Sequence, residues 1–199
     1  MGASERDERL RAAWRVMVAE GLGAERLVFV DEMGANTSLA PLYACSRKGR
    51  RACFEVPRDW GPNVALLASI TAGGMGPCLA VEGSTTRGVF EVYVEKAPSP
   101  KLRAGRVVVM DDLSAHEGSR VRQLIEARGC KPLYLPPYSP DHDPIEQTFS
   151  KVEGLLRRAE ARTREALVEA MGTALPKVRA QDARGFFGEC GYRSSAQLL

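Results

Sequence analysis

Three acidic residues stand where apolar or rigid segments give way to polar ones. Asp31 follows Leu27-Val28-Phe29-Val30, Asp111 follows Val107-Val108-Val109-Met110, and Glu146 closes the string Pro140-Asp141-His142-Asp143-Pro144-Ile145-Glu146. A carboxylate at the end of a buried strand is costly unless a cation meets it, and two such strands side by side call for a metal. Hard oxygen ligands suit Mg2+ or Mn2+ and leave positions open for phosphate. A pair of such ions can activate water or a hydroxyl and stabilise the departing oxygen of a phosphodiester, so the pattern suits two-metal phosphoryl transfer on nucleic acid.

Each acid also has a structural explanation. Asp31 can simply terminate a strand and Asp111 can cap the turn that follows. Glu146 can be the second half of a capping box opened by Asp143, with Pro144 at the first helical position. Together they weigh more, because all three are carried by rigid elements, as a preorganised metal site requires. Competing chemistries lack their motifs: there is no phosphate-cradling glycine loop of the nucleotide or dinucleotide type and no Gly-x-Ser-x-Gly elbow. His116 and His142 are the only histidines, too few for a histidine-rich zinc site.

The elements that must position these acids are legible from periodicity and turn residues. Apolar spacing predicts a helix over 5–20. Strands are expected at Arg26–Asp31, Leu39–Ser46, Asn63–Ala72, Pro77–Val81, Arg106–Met110 and Lys131–Leu135, the early ones as an antiparallel meander. Helices are expected at Thr85–Ala97, His116–Ala127, Asp143–Arg158, Thr163–Leu175 and Gln181–Gly188. The order predicts an α/β fold with mixed strand pairing and a helical C-terminal segment. A linker helix would occupy 1–25 and the main domain 26–199.

With 199 residues, 44% of them apolar, the chain suits one ordinary domain. No apolar run is long enough to span a membrane, and no secretion signal is visible, which predicts a cytoplasmic protein. Cys45, Cys53, Cys78, Cys130 and Cys190 form no Cys-x-x-Cys pair and are expected as reduced, structural thiols. The net charge is only +3, so its distribution matters more than its sum. Arg47, Lys48, Arg50 and Arg51 form one basic cluster, and Lys151, Arg157, Arg158, Arg162 and Arg164 another around a predicted helix. Solvated faces would explain either cluster, but both flank the acidic centre in sequence and are candidates to grip phosphates.

The strings Val-Phe-Val-Asp31-Glu-Met-Gly, Val-Val-Val-Met-Asp111-Asp-Leu-Ser-Ala-His116 and Leu-Pro-Pro-Tyr-Ser-Pro-Asp-His-Asp-Pro-Ile-Glu146 resemble the DDE catalytic core of Tc/mariner-like transposases. The likeness is strongest to the bacterial insertion-sequence branch, in which a 34-residue interval separates the second and third acids; this selects Asp111 over Asp112. The resemblance implies an RNase H-like fold with a mixed five-stranded sheet flanked by helices, and cut-and-paste DNA transposition. It implies Asp31, Asp111 and Glu146 as catalytic residues holding two Mg2+ ions, which Mn2+ can replace. It implies double-stranded DNA as partner (transposon ends and a target, usually at TA), a homodimer, and a nucleoid-associated place in a bacterial cell. His116 matches a histidine frequent in the family and joins the candidate DNA contacts.

Two positions depart from the family pattern, Asp112 and Asp143 standing where Asn is usual; both add negative charge near the centre. The helix-turn-helix modules that such transposases carry ahead of the core are not seen in this sequence. The alternative expectation is therefore a catalytically silent DNA-binding fragment that associates or interferes with a full-length transposase.

Overall fold

The computed structural model describes residues 6–53, 55, 61, 63–111 and 119–193. Five strands form one sheet in the order β3-β2-β1-β4-β5: β1 (Leu27–Asn36), β2 (Asn63–Thr71), β3 (Gly74–Glu82), β4 (Val107–Met110) and β5 (Lys131–Tyr134). The first three pair antiparallel as a meander, and β4 and β5 add parallel to β1. The mixed sheet expected from the residues is present.

Both faces of the sheet are covered because its central strands are apolar at nearly every position, the mark of a doubly buried sheet. Val28, Val30, Val108 and Met110 face α2 (Arg87–Lys96) and α3 (Ser119–Glu126), where Phe90, Tyr93, Val121 and Ile125 close one core layer. Leu27, Phe29, Val107 and Val109 face the other way. They meet α1 (Glu8–Trp14), α4 (Pro144–Ala159) and α6 (Ala180–Glu189) through Trp14, Ile145, Phe149 and Phe187. Burial of each such side chain contributes about 1.5–3 kcal/mol. Further along this face α4 packs against α5 (Arg164–Ala174) through Val152, Leu156, Leu167 and Met171. The α1 segment set apart in sequence as a linker thus shares the core of the domain.

Two expected elements differ. β1 does not stop at Asp31 but runs to Asn36, because β2 offers a continuous antiparallel partner from Phe29↔Ile70 to Asn36↔Asn63. Residues Leu39–Ser46 form no strand. Their neighbourhood is fastened by side chains instead: Arg162 donates to the carbonyls of Thr37 and Leu39, and Arg157 to that of Ala40. Leu42 and Tyr43 are exposed, so the apolar pattern there has no sheet to enter.

The segment leading into α4 is clamped from both ends of the chain. Arg11, fully buried, donates to Ser139 Oγ at 2.7 Å and pairs bidentately with Asp141 at 3.0 and 2.6 Å. Trp14 Nε1 donates to the Tyr192 hydroxyl at 2.9 Å, which donates to the His142 carbonyl at 2.6 Å. Removing Arg11 would take the donor from the buried Ser139 hydroxyl, which keeps its own donation to the Pro137 carbonyl. It would also leave a void where the buried guanidinium packs, while exposed Asp141 rehydrates. Arg11→Ala is expected to lower unfolding free energy by about 2–3 kcal/mol in urea titration. Arg9→Ala, on the exposed side of the same helix, should change it by less than about 0.5 kcal/mol.

Candidate metal centre

Strand alternation decides which acids meet. In β1 the residues Leu27, Phe29 and Asp31 share a face, and in β4 Val107, Val109 and the following Asp111 share the same one. The parallel register Leu27↔Val107, Val28↔Val108, Phe29↔Val109, carried two residues on, sets Asp31 level with Asp111. This is the face on which the first turn of α4 lies. Glu32, next in the chain, falls on the opposite face and does not line the cavity described below.

α4 starts where the sequence demands it. Asp143 is extended, at φ −115°, and its Oδ1 accepts from the Ile145 N–H at 3.1 Å. Pro144 occupies the first turn. The expected capping box does not close, because the Asp143 N–H is already spent on the Pro140 carbonyl at 3.1 Å. Glu146 is therefore left to the cavity rather than folded back on its own cap.

A cavity of about 480 Å3 opens between these elements, lined by Asp31, Asp111, Asp143 and Glu146 on one side and residues 135–140 on the other. Asp31 and Asp143 are buried, Asp111 is half-buried and Glu146 reaches the exposed rim. Among the described residues no lysine or arginine lines it. Burial, and then the charges of Asp143, Asp111 and Glu146, push the Asp31 carboxyl up to about 9. Burial, opposed by the Ile145 N–H but reinforced by Glu146 and Asp111, pushes Asp143 up to about 7. Burial and Asp111 also raise Glu146. Outside the cavity the sign reverses: the Arg11 guanidinium holds Asp141 below the usual carboxylate range.

Among the described residues no three His, Cys, Asp or Glu side chains are drawn together tightly enough to hold an ion as they stand. Like charges repel, so carboxylates without a cation spread. The chemistry of the donor set nevertheless fits hard divalent cations: four carboxylates, no nitrogen or sulfur donor side chain in the lining, and every resolved shift in the cavity upward, the direction a nearby cation would reverse. Asp31, Asp111 and Glu146 would hold the ions.

Asp143, expected both as the cap of α4 and as an added negative charge near the centre, is the fourth acid of the cavity. It caps α4 and lines the cavity with the other three acids. The expected phosphate contacts are dispersed. Arg47, Lys48, Arg50 and Arg51 stand exposed on a turn closed by Arg50 N–H to the Arg47 carbonyl at 2.9 Å, with Gly49 at φ 83° supplying the left-handed position. Lys151 is engaged with Asp182 at 2.7 Å, and Arg157 with Glu153 at 2.6 Å besides Ala40. Arg158 is exposed. Asp112 and His116 lie outside the described residues.

Residues 26–168 match the family described as DDE superfamily endonuclease. The transposable element Tcb1 transposase of Caenorhabditis briggsae is 28% identical over 144 residues, 69% of this chain and 50% of that protein. The chain thus spans about half the length of this curated relative. The Mos1 transposase paired-end complex with left transposon end superposes with a TM-score of 0.77 at 15% identity, over 96% of this chain and 62% of that one. The catalytic domain of Mos1 mariner transposase does so with a TM-score of 0.64 at 14% identity, over 96% of this chain and 91% of that one. At such identities the likeness carries the fold, and the RNase H-like architecture expected from the sequence is the one observed.

The raised carboxyls give the metal-free domain a stability that depends on pH. A group whose folded value lies above its unfolded one binds protons more tightly when folded. Asp31 therefore contributes stability that is fully present below its ordinary value of 3.8 and is lost as pH rises toward about 9. The melting temperature in EDTA is expected to fall from about pH 5 to about pH 9. Added Mg2+ should raise it most at the alkaline end, and Asp31→Asn should flatten both trends. Calorimetric scans at stepped pH, with and without the ion, check this.

Proposed function

The chain belongs to the DDE superfamily endonuclease family as a Tc/mariner-like transposase domain, and we propose that it cuts and joins double-stranded DNA at the carboxylate cavity. The observation that carries this is the convergence of Asp31, Asp111 and Glu146, from a strand interior, a strand end and a helix start, on one cavity without a lining cation among the described residues. When bound, a pair of Mg2+ or Mn2+ ions would supply Lewis-acid activation of the attacking water or 3′-hydroxyl and charge stabilisation at the leaving oxygen. Mos1 paired-end complexes with Mn and with Mg support that choice of ion.

The chain's own residues do the positioning. Asp31 is paired with Ala68 of β2, two residues past the last pair that β1 makes with β4, which fixes its backbone. Asp111 sits just past β4, at the margin of the same sheet. Glu146 lies in the first turn of the 16-residue α4, whose positive end favours both its charge and a phosphate brought beside it. The exposed turn bearing Arg47, Lys48, Arg50 and Arg51 would hold DNA backbone outside the cavity, with Arg158 on α4; Lys151 and Arg157 would have to exchange internal partners to do so. The finer reading is cut-and-paste transposition of an insertion sequence, by a homodimer on paired ends, with a TA target, in a bacterial cytoplasm. Mos1 paired-end complexes support pairing.

Nicking of supercoiled plasmid in Mg2+ or Mn2+ tests the proposal. Asp111→Ala and Glu146→Gln are each expected to cut the rate at least about a hundredfold, roughly 3 kcal/mol of barrier. Cleavage indifferent to either residue or to EDTA would refute the assignment. Neutralising Arg47, Lys48, Arg50 and Arg51 should weaken binding to all duplexes alike and reduce the salt slope by about 0.9 for every phosphate no longer neutralised. An unaltered slope in a titration by fluorescence anisotropy would remove that turn from the interface.

A further inference from the structure

The edge of the sheet opposite the carboxylates carries a second concentration of charge. β1, β4 and β5 run parallel, so their first residues share one edge. Arg26, Arg106 and Lys131 stand at those three strand starts, with Lys101, Arg103 and Arg128 on the segments leading into β4 and β5. All are exposed except Arg106, which is half-buried.

These cations stand on a knitted platform rather than on tails. Gly105 N–H donates to the Gly129 carbonyl at 2.8 Å, and Lys131 N–H to that of Arg106 at 3.0 Å. Cys130 Sγ donates to the Arg103 carbonyl at 3.1 Å, and the Arg26 guanidinium to the Gly105 carbonyl at 3.1 and 3.2 Å. Gly129, at φ 68°, lies so close to Ala104 that an added Cβ would stand 3.0 Å from the alanine Cβ. None of Lys101, Arg103, Arg106, Arg128 and Lys131 forms an ion pair with another described residue. On segments 24–26, 98–106 and 126–131 there are six cations against two carboxylates, Glu25 and Glu126. That net of four positive charges exceeds the +3 of the whole chain, so everything else in the molecule is slightly acidic.

We propose that this edge binds the phosphate backbone of duplex DNA, on a segment distinct from the one whose strand enters the carboxylate cavity. The five steps of chain from Arg106 to Asp111 span roughly 16 Å along the strand direction, so one phosphate cannot reach both ends. Neighbouring strands lie about 4.8 Å apart, which spreads the cations over a width of roughly 10 Å, suited to successive phosphates. An acidic protein partner fits less well: none of the large exposed apolar side chains lies on these segments, so the anchor typical of protein interfaces is missing. A polar, strongly positive surface is what DNA interfaces present. The proposal rests on the DNA reading of the cavity only in naming the polyanion.

The test is a full-chain variant combining Lys101→Ala, Arg103→Ala, Arg128→Ala and Lys131→Ala, titrated by fluorescence anisotropy against a labelled random-sequence duplex over a salt series. Affinity at low salt should fall at least about tenfold, and the slope of log affinity on log salt should shrink by about 3 to 4, near 0.9 for each cation removed from a phosphate. The Mg2+-induced rise in melting temperature, which reports the distant cavity and an intact fold, should stay at its wild-type value. An unchanged slope overturns the proposal, as does a variant that keeps duplex binding but loses binding to polyglutamate. Failure of the wild-type chain to nick DNA, with the salt slope behaving as described, would sink the endonuclease reading and leave this edge standing. Nicking with an unaltered slope would sink the edge alone.

Discussion

Four carboxylates that line one cavity between a buried sheet and the start of α4 repel one another, and much of the architecture is what keeps them there regardless. Asp31 and Asp143 are almost wholly removed from water, and each is raised first by burial and also by its neighbours' charge. Such an arrangement is tolerable only if the backbone is over-determined by contacts elsewhere. β1 is paired on both sides, Val107–Val109 and Phe29 are sealed in the core beside it, and the first turn of α4 is wedged on that core by Ile145. A divalent cation would relieve the repulsion rather than create the site.

The start of α4 is the least local part of this design. Its approach, residues 139–142, is rigid only because Arg11 from the first helix and Tyr192 from near the last described residue both grip it. Arg11 is a fully buried cation, yet it satisfies Ser139 and Asp141 and does not line the cavity. Its charge is confined to the wall, where it lowers Asp141 while the cavity acids stay raised. One helical segment before the sheet and one residue after α6 thereby set the angle at which Glu146 is presented.

Several cations that are candidates for a polyanion also have partners inside the molecule. Lys151 joins α4 to α6 through Asp182, and Arg157 and Arg162 hold the carbonyls of residues 37–40 where an edge strand would otherwise have supplied bonds. Exposed cations without an ion pair among the described residues include those on the turn at 47–51 and Lys101, Arg103, Arg128 and Lys131 near the starts of the parallel strands. Position along the chain did not discriminate between these groups. Only the partner each side chain finds does so.

What the sequence by itself determined is everything governed by local physics. Continuous apolar runs marked β2 and β4, the Asp143-Pro144 pair marked the start of α4, and Asp31, Asp111 and Glu146 were readable as a set from their strings. What the tertiary structure decided is everything that depends on a distant partner. Asp-Glu-Met-Gly-Ala-Asn has weak strand preference, yet it continues β1 because β2 pairs with it residue for residue. Leu39–Ser46 reads as a strand and is not one, since no sheet edge reaches it. Asp143 reads locally as a cap and is one, but its burial beside three other acids follows from how α4 docks on β1 and β4. Periodicity and capping are written in neighbouring residues, whereas burial and pairing are properties of segments brought together from far apart.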